Sequence, residues 1–342
     1  MIRTLLQPLA LLALTALCAG TALGQASKLP VSRTGGATSV SLPVGQTTLM
    51  ALPLVEIVAS GTVSAVSGST YTLLSTPTVL PDVVTTPHAI KITGRANQFG
   101  TNAYGMTARI TAQASQDVTT PVAPAAGSLM AAPNVGDEYV VYRLETIGSL
   151  FGVTNTVGLR GGSTVATADI IYLDNGSGTL VAYFYRTGGT PGWRLVSAPS
   201  GANQDGVIIQ PNRGILVARK TGGTPVTINI SGDAMVGNEV VDVTNSAANI
   251  VNNPFLVSTT LLGSGLRNYV TGGSTAATAD IVYLESGGVL TGYFYRTSVS
   301  QWRLLSTPGG ADQGAVAITP GKAILIAKKA TGEFTLVEPF AP

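Results

Sequence analysis

The chain has 342 residues, a net charge of +2, 11% charged residues, 41 glycines, one histidine and one cysteine. So little charge, without clustered Lys and Arg, excludes an electrostatic grip on nucleic acid. One cysteine and one histidine exclude an internal disulfide and an ordinary His/Cys zinc site.

In chain order, residues 1–24 read as a signal peptide. Arg3 opens a mostly apolar run over 5–17, and Ala22 and Gly24 stand at −3 and −1 of a cut before Gln25. The run is shorter than the roughly 18 apolar residues of a membrane span, and no later run reaches that length, so no transmembrane span is expected. Leu17 is too large to precede a lipoprotein cysteine at Cys18. The mature chain is therefore expected to be exported, thiol-free and held by its apolar core, in the periplasm, on the cell surface or outside. Residues 25–35 read as a flexible lead. Val40, Leu42 and Val44 then alternate, as in a strand that could add to a neighbour's sheet edge.

Short runs of Val, Ile, Thr and Tyr divided by Gly, Pro, Asn and Ser carry the all-β signature. "SGTVSAVSGSTYTLL" (60–74) is a hairpin turning at Ser67-Gly68-Ser69-Thr70. "HAIKITGR", "GMTARITAQAS" and "GDEYVVYRLETI" follow, with Pro81, Pro87, Pro121, Pro124 and Pro133 marking loops. Five or so strands in this block suit a small SH3- or OB-like barrel.

A repeat organises the rest. "GGSTVATADIIYL" begins at Gly161 and "GGSTAATADIVYL" at Gly272, an offset of 272 − 161 = 111; 12 of the 16 positions in 161–176 and 272–287 are identical. "LVAYFYRT", "GWRLVS" and "VIIQPNRGILVARK" return as "LTGYFYRT", "QWRLLS" and "VAITPGKAILIAKK", with small gaps where turns are expected. The offset also aligns Leu150-Phe151-Gly152 with Leu261-Leu262-Gly263. "TTLMALPLV" (47–55) is similar to "ANIVNNPFLV" (248–257). The fold expected is all-β: two tandem copies of a small β-sandwich or barrel-like domain, the first (36–56 and 149–232) interrupted by the inserted barrel (57–148), the second spanning 233–342. Three beads in series is the alternative.

Few residues invite chemistry. His88, in "TTPHAI", is the one histidine a Ser-His-Asp triad could use, and no nucleophile elbow lies near it. Asp169 and Asp280 are matched between copies; one carboxylate per copy reads as a turn residue bonding backbone N–H groups, not as a hydrolytic pair. "LDNGSG" (173–178) reads as a hairpin turn in preference to a calcium loop, and "TPGKAI" lacks the spacing of a phosphate loop. The candidate interaction surface is Tyr183, Tyr185, Arg186, Trp193 and Arg194 with Tyr293, Tyr295, Arg296, Trp302 and Arg303. On adjacent antiparallel strands these pair across the ladder, with Arg over an aromatic ring. They form either a core Trp with arginines at its rim or an exposed platform for sugar rings or a partner.

At "ANIVNNPFLVSTTLL…ADIVYL…GYFYRT…WRLL…ITPGKAILI" the chain resembles a family of secreted, β-rich bacterial proteins. They share a signal peptide, an N-x-x-x-N-P-[FY] strand, a Tyr-rich strand, a Trp and a Pro-Gly turn before an apolar strand. The resemblance implies export and a β-rich fold, and carries over no catalytic residue. The expectation is a non-enzymatic structural or interaction protein without a cofactor. Carbohydrate binding through the Trp and Tyr faces, and self-assembly by strand addition, are the alternatives. The sequence names no partner: a polysaccharide, another surface protein and a second copy of the chain stay open.

Overall fold

A computed structural model describes residues 35–76, 82, 86–94, 104–121, 132–175, 177, 179–243 and 248–339. The expected signal peptide, the lead up to residue 34, and Pro81, Pro124 and Gly176 lie outside these residues. The fold is all-β. Among the described residues the helical elements are one five-residue α-helix, Ile147–Phe151, and three short 3-10 turns. No helix of the described residues is long and apolar enough to cross a membrane.

Each copy of the repeat builds a five-stranded antiparallel sheet, and the two sheets have the same strand order. The first runs Gly192–Leu195, Leu180–Arg186, Ile170–Asp174, Ile215–Ala218, Thr47–Met50. The second runs Gln301–Leu304, Val289–Arg296, Ile281–Ser286, Ile324–Ala327, Ala248–Val251. Thr47 lies opposite Ala218 and Met50 opposite Ile215, as Ala248 lies opposite Ala327 and Val251 opposite Ile324. The strand before the intervening segment thus pairs with one that follows it.

A smaller sheet covers each of these. In the first repeat it is Gly35–Leu42, Val226–Ala234 and Leu54–Val55, in which Val226–Ala234 lies in the middle. Alternation decides the faces: Val226, Ile228 and Ile230 turn inward while Thr227, Asn229 and Ser231 stay exposed. Leu42, Ile228, Ile171, Val217 and Trp193 then share one core. In the second repeat Glu239–Val243 pairs with Gly332–Leu336, and Val241 and Leu336 pack with Val282, Ile326 and Trp302.

Between Val55 and Leu144 the chain builds a seven-stranded sheet. The order is Thr107–Arg109, His88–Gly94, Glu138–Arg143, Ile57–Ser67, Thr70–Thr76, Asp117–Thr119, Ala112–Ala114. Its two terminal strands are halves of one run. Ile110 N donates to His88 O at 2.9 Å on one side and Thr111 N to Thr119 O at 2.8 Å on the other, so the sheet closes into a ring and has no open edge there. Tyr71, Ile90, Ile92, Val118, Tyr139 and Val141 fill it. The hairpin turn is the one read from the sequence: Ser67 faces Thr70, and Gly68 takes the positive φ of 59°.

One alignment needs correction. Ile147 N and Gly148 N donate to the carbonyls of Val207 and Asp205, as Leu261 N and Leu262 N do to those of Val316 and Gly314. Ile147 therefore matches Leu261, an offset of 261 − 147 = 114 rather than 111. The first repeat has three more residues before its Gly161, about one helical turn, and spends them on Ile147–Phe151.

The two five-stranded sheets meet at a seam with local two-fold symmetry. Met50 bridges Lys322, and Val251 bridges Arg213. Gly214 N donates to Ile250 O at 2.8 Å, and its counterpart Ala323 N to Leu49 O at 3.3 Å. Leu49, Ala51, Ile250 and Ala323 are fully or almost fully buried there, flanked by Leu180, Leu216, Leu290 and Leu325.

Candidate functional site

The aromatic and arginine set occupies matching positions in the two repeats. Tyr185 lies opposite Trp193, and Tyr295 opposite Trp302. The rings meet edge to face with centroids 5.4 and 5.8 Å apart. Both indoles belong to the core: Trp193 is 0% and Trp302 1% exposed. Tyr183, Tyr293 and Tyr295 are buried as well, and Tyr185 is half-buried. Burial pushes the Tyr183 and Tyr293 phenols above their ordinary value. The exposed platform therefore needs correction, since no tryptophan face is open to a sugar ring. The alternation that makes these strands aromatic also turns those rings inward.

The arginines bind the chain's own carbonyls. Arg186 donates to Pro199 O at 3.1 Å and Arg296 to Pro308 O at 3.2 Å, each tying down the loop that follows its Trp strand. Arg194 donates to Thr190 O at 3.0 Å and Trp193 O at 3.2 Å. Arg303 donates to Gly310 O and Gln301 Oε1. Among the described residues the cation over an aromatic ring is Arg267, 5.1 Å from the Tyr295 centroid, and not one of the repeated arginines.

The matched aspartates hold the fold. Asp169 accepts Arg160 N and Lys220 N, both at 2.7 Å, and Arg219 Nε lies 2.6 Å from its Oδ2. Asp280 accepts Thr271 N at 2.6 Å, Lys329 N at 2.7 Å and Lys328 Nζ at 2.8 Å. Each carboxylate ties two separated backbone segments to a buried cation. This accounts for much of the repeated sequence. The glycine pair before each aspartate is needed too: a Cβ on Gly162 would sit 2.3 Å from Thr167 Oγ1, and one on Gly273 2.4 Å from Thr278 Oγ1. The same glycines also bridge the neighbouring strand, Gly162 with Arg186 and Gly273 with Arg296.

The remaining sequence candidates are structural as well. His88 is buried at a strand start, its Nδ1 2.5 Å from Thr86 O. Asn175 Oδ1 accepts Ser177 N at 3.0 Å and Ser177 Oγ at 2.7 Å, the geometry of an Asx turn. Among the described residues no group of three or more His, Cys, Asp or Glu gathers as metal ligands would.

Three charged clusters escaped sequence reading, because their members lie far apart in the chain. Lys91 Nζ and Thr107 Oγ1 donate to the Glu239 carboxylate at 2.7 and 2.8 Å, fully buried between the seven-stranded ring and the second repeat. Nearby, burial and then the Glu239 charge hold the Tyr142 phenol well above its ordinary value. At the seam, Arg213 Nη1 lies 3.7 Å from Asp174 and Nη2 3.0 Å from Asp242, while Lys322 pairs with Glu285. A cavity of about 40 Å³ lies where Tyr142, Arg213, Met235, Glu239 and Asn252 converge; it has room for little more than water. The recurring polar side chains thus brace loops and sheets. No family model matches the chain, and no curated protein or solved structure matches it.

Proposed function

We propose that this is an exported structural or interaction protein that works through its surface and not through a reacting group. The observation that carries the reading is how the repeated charges are used. Asp169, Asp280, Arg186 and Arg296, the residues an active centre would draw on, all bond the chain's own backbone. Export rests on residues 1–24. Two assays test the proposal together. A fusion of residues 1–24 to a reporter active only outside the cytoplasm should be active. Purified protein should not turn over glycan, peptide or ester substrates. A cytoplasmic fusion, or a turnover abolished by one substitution, overturns it.

A second reading, self-assembly by strand addition, is favoured by one observation. Gly35–Leu42 lies at the end of its three-stranded sheet. It carries only small, uncharged or apolar side chains, with neither proline nor charge to blunt the edge. Electron micrographs of the mature protein should then show linear assemblies that Ser39→Pro abolishes. Uniform single particles for both proteins would end this reading.

A further inference from the structure

The local two-fold gives every residue at the seam a counterpart, and one pair of counterparts differs in a way that points to a ligand. Arg213 is held by two carboxylates: Asp174 from its own repeat and Asp242 from the other. Lys322 is its counterpart, because Lys322 bridges Met50 as Arg213 bridges Val251. Glu285 stands where Asp174 does, opposite Leu290 as Asp174 is opposite Leu180, and it pairs with Lys322. The counterpart of Asp242 is Ser41. The strand ends match, Leu42 with Val243, and the offset 243 − 42 = 201 equals 251 − 50 = 201. Lys322 therefore lacks the second carboxylate that Arg213 has.

A cleft of about 190 Å³ opens at that place, lined by Ser39, Ser41, Gln46, Glu285 and Lys322 among others. The Lys322 ammonium has three donors, and among the described residues Glu285 is its one hydrogen-bond partner. Gln46 lines the cleft as well; with its Oε1 buried, its Nε2 is the atom left to donate there. We propose that this cleft binds a small carboxylate, seated where the Asp242 side chain sits in the twin site. Lys322 Nζ, Ser41 Oγ and Gln46 Nε2 donate to it. The compact lysine head leaves room that a guanidinium would fill. Glu285 offsets the Lys322 charge much as Asp174 offsets that of Arg213, so a bound carboxylate restores the charge count of the twin. The inference does not depend on export or on a surface role.

Amide NMR shifts test it. Acetate serves as the free-acid probe and N-acetyl-aspartyl amide as the side-chain probe, with sodium chloride at matched ionic strength as the control. The expected result is saturable shifts at Ser41, Gly321 and Lys322 with either carboxylate and none with chloride; the probe that saturates first identifies the source. Ser41→Asp places a carboxylate in the seat covalently and should abolish those shifts. Asp242→Ser empties the twin seat and should create a second saturable site at Asn212 and Arg213. Absence of saturation in the wild type, the same shifts with chloride, or shifts that persist in Ser41→Asp would overturn the proposal.

Discussion

Replacing Asp280 by Asn is the sharpest test of what the repeated sequence does. The change keeps shape and removes charge. Asp280 is 0% exposed and accepts three donors: two backbone N–H groups and the ammonium of Lys328, itself 7% exposed. Asparagine offers one acceptor oxygen and turns an NH2 group toward donors, leaving a backbone N–H unmet and Lys328 charged in a dry site. Breaking one side of such a buried pair costs about 3–5 kcal/mol. With a urea m-value near the upper end of about 3 kcal/mol/M, the midpoint should fall by roughly 1–1.7 M. Equilibrium unfolding in urea, followed by tryptophan fluorescence, reads this directly. Adding Lys328→Met to Asp280→Asn removes the stranded charge, so the double variant should be more stable than Asp280→Asn alone. Asp242→Asn is the control: its carboxylate is 58% exposed, and the cost should stay below about 1 kcal/mol. Asp280 is not the clamp described if Asp280→Asn comes within about 1 kcal/mol of the wild type, the worth of one ordinary hydrogen bond. The same holds if the double variant is the less stable of the two.

Three further outcomes follow from the same geometry. Trp193 Nε1 donates to Gly152 O at 2.8 Å, whereas Trp302 Nε1 is buried without a partner among the described residues. Trp302→Phe should therefore cost about 1–2 kcal/mol less than Trp193→Phe in thermal or urea unfolding; equal costs would refute this. Burial raises the phenols of Tyr71, Tyr142, Tyr183 and Tyr293 in the folded protein. Above their ordinary value of about 10 the unfolded chain sheds these protons first. Stability is thus fully present below that pH and falls as pH rises toward the folded-state values; Tyr142→Phe should flatten the fall measured by unfolding between about pH 9 and 11. A Cβ on Gly214 would lie 2.4 Å from Ala323 Cβ and 3.1 Å from Met50 O, so Gly214→Ala should wedge the seam and lower the melting temperature by several degrees.

The strands were legible because their period is local. Val40 and Leu42 alternate with serines, and the structure buries both; "SGST" turns where a hairpin needs it. The pairing of Tyr185 with Trp193 followed from adjacent antiparallel strands. Whether that pair faced water did not, since a strand's period separates its two faces without saying which is covered. The smaller sheet made of Gly35–Leu42 and Val226–Ala234 decides it, and those partners stand far apart in the chain. Glu239 and Lys91 are separated by 148 positions, so no window of sequence holds both. The offset of 114 was hidden for another reason: a Leu-Phe-Gly string resembles Leu-Leu-Gly whichever carbonyls its backbone meets.

The seam and the clamps answer one physical need. A chain whose single cysteine is Cys18 cannot cross-link its own sheets. What joins distant segments must be apolar contact and buried charge, and the ring uses both in an unexpected place. It is threaded into the first repeat, leaving after Val55 and returning at Leu144, yet its buried ion pair runs to the second: Lys91 to Glu239, with Val240 N donating to Gly105 O at 2.9 Å. Glu239–Val243 is an outer strand of its own sheet, so this contact also covers an edge. Its counterpart Gly35–Leu42 receives no such cover from the ring among the described residues. The ring therefore makes the two repeats inequivalent despite their shared strand order. The edge that it leaves, with Ser41 upon it, borders the cleft where Lys322 lacks its second carboxylate. One place where the halves differ is therefore the edge that the ring supports in one of them and not in the other, beside the cleft proposed to seat a carboxylate.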